Sequence, residues 1–203
     1  MSRIPELRTA RLLLRGWREE DLEPFGALNA DPEVREHFPG GAQSRAESDA
    51  TVARFLERWR DDGHAPWAVE RREDGQFIGF IGLATMRFEA HFTPAVEVGW
   101  RLARWAWGHG YATEGGQASL RWGFEDLDLA EIVSFTSTTN VRSQAVMERL
   151  GMRRDPADDF DHPLIAEGSR LRRHVLYRLS RDEWRLRTSG SGADEHRPVE
   201  LGD

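Results

Sequence analysis

The stretch from Val96 to Thr113 constrains the fold more than any other part of the chain. Its first part, Val96 to Leu102, is apolar and predicts a β-strand. A glycine-containing turn from Trp107 to Gly110 follows, and a helical pattern takes over at Ala112. Amide N–H groups at the start of a helix lack partners within the helix, and the helix dipole favours negative charge there. The stretch therefore predicts a strand, a turn and a helix that together build an anion site.

The residues of this turn do not identify the anion. A mononucleotide P-loop needs Gly-Lys followed by Ser or Thr, which is absent, and a dinucleotide fingerprint needs a third glycine where Thr113 stands. Gly108 and Gly110 lack a Cβ, so a ligand could lie directly against the backbone. Two other interpretations stay open: an ordinary glycine-containing turn, and an unrelated phosphate- or nucleotide-binding domain.

The rest of the chain alternates strands and helices around this stretch. The predicted strands are Arg11–Trp17, Trp67–Arg71, Phe77–Met86, Val96–Leu102, Glu131–Thr136 and Arg173–Leu179. The predicted helices are Glu20–Asn29, one from the capping box at Ser44 to near Asp61, Ala112–Phe124, Asn140–Leu150, and a brief one that starts at a second capping box at Ser180. This order predicts an α+β fold with one mixed, mainly antiparallel sheet and helices on both faces. We expect a single domain over residues 1–187 and a disordered tail over 188–203.

Composition excludes several classes of function. Cysteine is absent, which excludes disulfides, thiolate metal sites and a covalent cysteine intermediate, and we expect no metal. The formal net charge of −7 argues against nucleic acid as the main partner, although all 28 basic residues are arginine. No apolar run is long enough to cross a bilayer, and the N-terminal residues lack the charged-then-apolar pattern typical of a signal segment. We therefore expect a cytoplasmic protein with no membrane partner.

Three segments, in this order along the chain, resemble the GNAT acetyltransferase superfamily. Thr9–Arg15 resembles the opening strand of the branch that is similar to ribosomal-protein N-terminal (alanine/serine) acetyltransferases. Trp107–Glu114 resembles the acetyl-CoA loop of that branch, and Thr139–Met152 resembles a later helix. The likeness covers roughly Arg8 to Ser180. It implies a GNAT-like three-layer fold, and it implies that the anion is the pyrophosphate of acetyl-CoA, used as a co-substrate.

The resemblance also implies which residues hold acetyl-CoA. The loop would bind the pyrophosphate, and backbone groups of Trp100 and Leu102 would pair with the pantetheine arm as if it were another strand. Asn140 would contact the pantetheine amide, although a role as the N-cap of its helix is the alternative. The full implied set is Trp100, Leu102, Trp107, Gly108, His109, Gly110, Tyr111, Ala112, Thr113, Asn140, Ser143 and Met147.

Two residues are the candidates for catalysis. The resemblance implies that Glu97 is the general base for the acceptor amine, since most of a free alkyl amine is protonated at neutral pH. The alternative is a structural carboxylate paired with Arg101. Relatives commonly have a tyrosine at the position of Met147, and methionine cannot give a proton. The resemblance implies that Ser143, one helical turn earlier on the same face, serves the sulfur in this branch, and we expect its hydroxyl to donate a hydrogen bond to the leaving thiolate. Without cysteine, we expect direct attack in a ternary complex, with a backbone N–H near Leu102 holding the oxyanion.

The acceptor is less well defined by the sequence. The resemblance implies a primary amine, either a small molecule or a protein N-terminus, and the protein is expected to be a monomer or a homodimer. Phe38, Trp67 and Phe92 are the predicted walls of the acceptor pocket. The acidic run Asp158–Asp161 would suit a cationic amine, but a solvated loop is the other interpretation. A non-catalytic acyl-CoA-binding or sensor module is the alternative function, because the usual tyrosine is missing.

Overall fold

The computed structural model describes residues 4–191 of the chain. Its strands are β1 Leu7–Arg8, β2 Leu12–Arg15, β3 Trp67–Arg71, β4 Phe77–Thr85, β5 Val96–Leu102, β6 Glu131–Ser137, β7 Arg153–Arg154, β8 Phe160–Asp161 and β9 Arg173–Ser180. Its α-helices are α1 Leu22–Ala30, α2 Arg45–Asp61, α3 Tyr111–Glu125, α4 Val141–Arg149 and α5 Arg181–Ser191. None of these helices is long and apolar enough to cross a membrane.

The strands form one sheet with helices on both faces. The strand order is β1-β2-β3-β4-β5-β6-β9-β7, with β8 paired to β9. On one face, Phe80 of β4 packs against Phe25 of α1 and Phe55 of α2, with ring centroids 6.1 and 5.2 Å away. The next residue, Ile81, points to the opposite face and meets Gly115 of α3. The predicted α+β, three-layer architecture is confirmed.

The sheet is antiparallel except where β5 meets β6. Strand β5 pairs with β4 along its whole length, from Val96 opposite Thr85 to Leu102 opposite Gly79. It pairs with β6 in parallel only at Glu97, opposite Val133. Beyond Glu97 the two strands diverge, so one edge of β5 has no neighbouring strand there. This gap lies between Glu97 and the glycine turn that precedes α3.

The predicted capping boxes at Ser44 and Ser180 are confirmed. The Ser44 N–H donates to Glu47 Oε2 at 2.8 Å, and Ser180 N–H donates to Glu183 Oε2 at 3.1 Å. The second box starts α5, which continues to Ser191 and so runs past the predicted start of the tail at residue 188. The remainder of the predicted tail, residues 192–203, lies outside the described residues.

Two consecutive glycines in α3 allow close packing on both sides of that helix. A Cβ on Gly115 would lie 2.4 Å from Ile81 Cδ1, and a Cβ on Gly116 would lie 3.0 Å from Leu150 Cδ1. Ile81 is fully buried and Leu150 is nearly so, so neither side chain can move into solvent. The helix therefore approaches the sheet closely at Gly115, and Gly116 is in contact with the end of α4.

Gly115→Ala is expected to destabilise the protein by about 1–3 kcal/mol, because the added methyl group overpacks the core against Ile81. This loss outweighs the roughly 1 kcal/mol that alanine contributes over glycine inside a helix. Gly26→Ala in α1 is the matched control, since its Cβ would meet only the side chain of the exposed Arg45. Chemical denaturation measures both. An unchanged or raised free energy of unfolding for Gly115→Ala would contradict the packing argument.

Candidate active site

A cavity of about 480 Å³ lies between α2 and the face of β4 and β5 that carries Glu97. Gly82 and Gly99 are opposite each other in the register of these strands, and both line the cavity. A Cβ on Gly99 would meet only the Glu97 side chain, at 3.9 Å. Several of the predicted site residues line this cavity together, namely Phe38, Glu97, Trp100, Asn140, Ser143 and Met147.

Glu97 is held in the cavity without a partner for its carboxyl group. Within residues 4–191 no hydrogen bond or ion pair forms at that carboxyl. Burial raises the pKa of Glu97 from 4.5 to about 8, although the nearby charge of Arg58 acts to lower it. The alternative ion pair with Arg101 does not form. Arg101 Nη1 donates instead to Asn29 Oδ1 at 2.8 Å, and its guanidinium lies 4.0 Å from the centre of the Phe38 ring.

The start of α4 brings a hydroxyl group to the same cavity. Asn140 Oδ1 accepts from the Ser143 N–H at 3.2 Å, which confirms Asn140 as the N-cap. Its Nδ2 donates to Ser143 Oγ at 3.1 Å and to Thr136 Oγ1 at 2.9 Å. The Ser143 hydroxyl therefore accepts from Asn140, and its own hydrogen has no acceptor within the described part of the chain. Met147, one turn further, is buried.

The unpaired edge of β5 presents backbone groups to the gap beside β6. The Ala103 N–H donates to Ile78 O and the Met86 N–H donates to Ala95 O, which identifies the hydrogen-bonded positions of the β4–β5 pair. Because these positions alternate, the N–H and C=O groups of Trp100 and Leu102 point away from β4. The Leu102 carbonyl accepts from Trp107 Nε1 at 2.8 Å, which ties the glycine turn to the end of the strand.

The glycine turn presents a row of unbonded amides. Gly108 and Gly110 both have a φ of 79°, a left-handed conformation that favours glycine. The first helical hydrogen bond runs from the Glu114 N–H to Gly110 O. The N–H groups of residues 108–113 donate to no oxygen anywhere in the described range of 4–191. They leave a set of donors at a helix N-terminus, which is an arrangement that binds anions.

The opening strand region holds this turn in place, which the sequence analysis did not predict. Glu114 accepts from Thr9 Oγ1 at 2.6 Å and from the Arg11 backbone N–H at 2.8 Å. The Arg11 guanidinium contacts the same carboxylate and also donates to the His109 carbonyl at 2.9 Å. The anchor joins residues about a hundred positions apart, so no local pattern could have revealed it.

Two of the predicted acceptor walls lie elsewhere. Trp67 is fully buried among Trp59 and Trp122, with ring centroids 5.1 and 5.0 Å away, and it belongs to the main core. Phe92 is buried in a second core cluster, where its ring lies 4.9 Å from that of Phe160. Neither lines the cavity, because both rings are used for packing. Phe38 does line it.

The acidic run Asp158–Asp161 does not line the cavity either. Its carboxylates form ion pairs with arginines: Asp158 with Arg178 at 2.7 Å, Asp159 with Arg154, and Asp161 with Arg173 at 3.3 Å. Arginine side chains from α2 line the cavity instead. Arg54 and Arg58 are four residues apart, a helical spacing that places both on one face and that the sequence analysis did not use.

Comparisons with known proteins agree on one family. Residues 11–153 match the family described as acetyltransferase (GNAT) domain. The chain is 32% identical over 190 residues to FsC-acetyl coenzyme A-N(2)-transacetylase of Aspergillus fumigatus, covering 89% of this chain and 78% of the relative. An acetyltransferase structure from Agrobacterium tumefaciens is similar with a TM-score of 0.70 at 31% identity, covering 88% of this chain and 96% of that one.

A third comparison concerns the fold. RimL, a ribosomal L7/L12 alpha-N-protein acetyltransferase solved in complex with coenzyme A, has a TM-score of 0.71 at 15% identity, over 88% of this chain and 99% of its own. The chain therefore belongs to the GNAT family of acetyltransferases, enzymes that transfer an acetyl group from acetyl-CoA to an amine.

Proposed function

We propose that this acetyltransferase binds the diphosphate of acetyl-CoA on the amides of residues 108–113 and catalyses direct attack of a primary amine in a ternary complex. The observation that carries the proposal is the row of unbonded N–H groups at the start of α3, next to a cavity that contains Glu97. The amides would supply the anion site, and the cavity would admit the acceptor.

The backbone of β5 orients the co-substrate in this proposal. The N–H and C=O groups of Trp100 and Leu102 face the gap beside β6 and can pair with the amides of a pantetheine arm, as one strand pairs with another. The arm would then lead from the diphosphate at the glycine turn toward Glu97. Asn140 would contribute less to binding of the pantetheine arm, because its side-chain amide already caps α4 and donates to Thr136.

Glu97 acts as the general base. The amine nitrogen forms a bond to the thioester carbonyl carbon while the bond from that carbon to sulfur breaks. The amine must lose a proton, and the Glu97 carboxylate accepts it directly or through one water molecule. No partner neutralises that carboxylate within the described part of the chain, and its raised pKa of about 8 suits a base that works near neutral pH.

Two further groups complete the step. A backbone N–H at the unpaired edge of β5 on the Glu97 side would stabilise the negative charge that develops on the carbonyl oxygen, because the predicted position near Leu102 would be paired with the arm. The Ser143 hydroxyl, whose oxygen already accepts from Asn140, would donate its hydrogen to the departing thiolate. A thiolate with a pKa of about 8.5 is a good leaving group, so a hydrogen bond is sufficient and a proton donor such as tyrosine is not required.

Acetyl-CoA turnover with a panel of small primary amines and peptides with free N-termini tests the proposal. Released thiol is measured together with the mass of the acetylated product, and coenzyme A binding is measured by calorimetry. We expect product from at least one class of amine, with no acetylated enzyme intermediate. Thiol release without any acetylated amine, or a kinetic pattern of the ping-pong type, would contradict direct transfer in a ternary complex.

Ser143→Ala is expected to lower kcat by about tenfold to a hundredfold, because a hydrogen bond to a charged group contributes about 1.5–3 kcal/mol. The Kd for coenzyme A should be less affected. Ser189→Ala, the same change at an exposed position of α5, serves as the control. Steady-state kinetics measure both variants. If kcat of Ser143→Ala equals that of the parent, the thiolate leaves without help from this hydroxyl.

A further inference from the structure

One wall of the acceptor cavity carries three arginine side chains. Arg54 and Arg58 lie one turn apart on α2, and Arg87 follows β4. Two of the three have partners: Arg87 forms an ion pair with Asp62 at 2.6 Å, and Arg54 donates to Thr51 Oγ1 at 2.8 Å. Arg58 is half-buried and forms no hydrogen bond or ion pair within residues 4–191. Arg58 therefore presents a guanidinium group to the cavity with no hydrogen bond or ion pair, although the charges of Asp62 and Glu97 lie near enough to act on it.

The remaining groups of the cavity do not balance this positive charge. Among the residues that the structure describes, Glu97 is the one carboxyl group that lines the cavity. Arg101 adds another guanidinium, whose Nε is buried without a hydrogen-bond partner. Burial lowers the pKa of His162 to about 4 and lowers that of His174 as well, so both imidazoles are neutral at pH 7. The cavity thus has an excess of positive charge.

This charge selects against a simple cationic amine and favours an acceptor with an anionic group. A charged group that leaves bulk water for a partly buried cavity needs an opposite charge to stabilise it. Like charges also repel each other more strongly in the cavity than in water. A guanidinium presents donors in a planar fork that matches the two oxygens of a carboxylate. A volume of about 480 Å³ lies within the usual range for sites that bind small molecules.

We propose that the acetyl acceptor is an amine that also carries a carboxylate, which Arg58 binds while the amine lies at Glu97. The inference rests on the proposed function, because it concerns the acceptor of the same reaction. The carboxylate could belong to a free amino acid or to an acidic residue near the N-terminus of a peptide. Both sources present the same chemistry to Arg58, and the experiment separates them.

Acetylation rates are measured for unbranched amino acids from glycine to 5-aminopentanoate, each beside its carboxamide, and for short peptides with glutamate or glutamine in the second position. Rates are compared per fraction of neutral amine, so that differences in amine basicity cancel. We expect kcat/KM for the best carboxylate to exceed that of its carboxamide by about tenfold or more. A preference that appears only within the peptide pair would identify an acidic peptide as the source.

The matched variants are Arg58→Gln and Arg60→Gln. Arg60 is exposed on the same helix and does not line the cavity, so its variant should keep the preference of the parent. In Arg58→Gln the ratio of kcat/KM between carboxylate and carboxamide should fall close to one, with an unchanged Kd for coenzyme A. The ratio is the readout because Arg58 also influences the charge state of Glu97, which affects both substrates alike.

The outcomes separate this inference from the proposed function. Acetylation of carboxamides and carboxylates at equal rates, or an equal preference in Arg58→Gln and the parent, would overturn the role of Arg58 while leaving the transfer reaction in place. Absence of turnover with every amine, while coenzyme A still binds, would overturn the proposed catalytic role of the cavity and this inference with it.

Discussion

Glu97→Gln is expected to lower kcat by about 10²- to 10⁴-fold, the usual contribution of a positioned general base. Glutamine has nearly the same shape but cannot accept the proton of the attacking amine. Because the carboxyl group has no hydrogen bond or ion pair within residues 4–191, the change should leave the fold and the Kd for coenzyme A intact. Steady-state turnover and calorimetry measure the two quantities.

The pH dependence of the parent provides a second test of the same residue. Burial raises the pKa of Glu97 to about 8, so the protonated, inactive form predominates below that value and the carboxylate predominates above it. The value of kcat/KM, which reports ionisations of the free enzyme, should therefore rise as the pH increases through about 8. The acceptor amine, with a pKa near 10, adds a separate limb at higher pH. Glu97→Gln should lose the lower limb and keep the upper one.

Glu73→Gln, at an exposed position between β3 and β4, controls for the loss of one negative charge. It should match the parent in kcat and in the pH profile. Should Glu97→Gln retain the parent's kcat and its rise near pH 8, another group accepts the proton and Glu97 is a structural carboxyl.

Gly110→Asp is expected to raise the Kd for coenzyme A about a hundredfold, which corresponds to about 2.7 kcal/mol. The carboxylate would lie at the start of α3, where the unbonded amides are proposed to hold a diphosphate, and the two anions would repel each other. The substitution fits sterically, since a Cβ there would lie 3.6 Å from Arg11 Nη2. Aspartate also tolerates a left-handed backbone better than most residues do. Calorimetry measures the affinity.

Two further variants separate charge from backbone strain. Gly110→Asn has the shape of the aspartate variant without its charge, so its affinity should lie between those of the parent and Gly110→Asp. Gly75→Asp places the same residue at a φ of 72° in the turn between β3 and β4, where no other atom lies within 4 Å of the new Cβ. It should bind coenzyme A like the parent. An unchanged affinity in Gly110→Asp would show that the diphosphate lies elsewhere.

The elements that were predicted best are those with a strong local pattern. The strand Val96–Leu102 has the predicted bounds, and the helices after Ser44 and Ser180 begin at the predicted capping boxes. Strands β1, β7 and β8 were not predicted, because each is two residues long and exists only through its pairing with a neighbour. Their formation depends on the sheet and not on local composition.

The candidate site likewise has one part with a local sequence pattern and another part that depends on tertiary contacts. The glycine turn could be recognised from consecutive residues, because its donors come from the backbone of one short stretch. The walls of the cavity could not be recognised in this way, because the sequence does not distinguish a tryptophan that lines a pocket from one that fills a core. Trp67 is in the core because two other tryptophans surround it. Arg54 and Arg58 likewise line the cavity only because α2 packs over the strand that carries Glu97.

The sequence by itself determined the order of strands and helices, the glycine-rich start of α3 and the family resemblance, because each depends on residues that are close together in the chain. Tertiary structure alone decided where β5 and β6 diverge and that Glu114 anchors the turn to Arg11. It also decided that Glu97 faces Arg58 rather than pairing with Arg101. These features depend on distances between segments far apart in sequence, which are set by how the helices pack on the sheet.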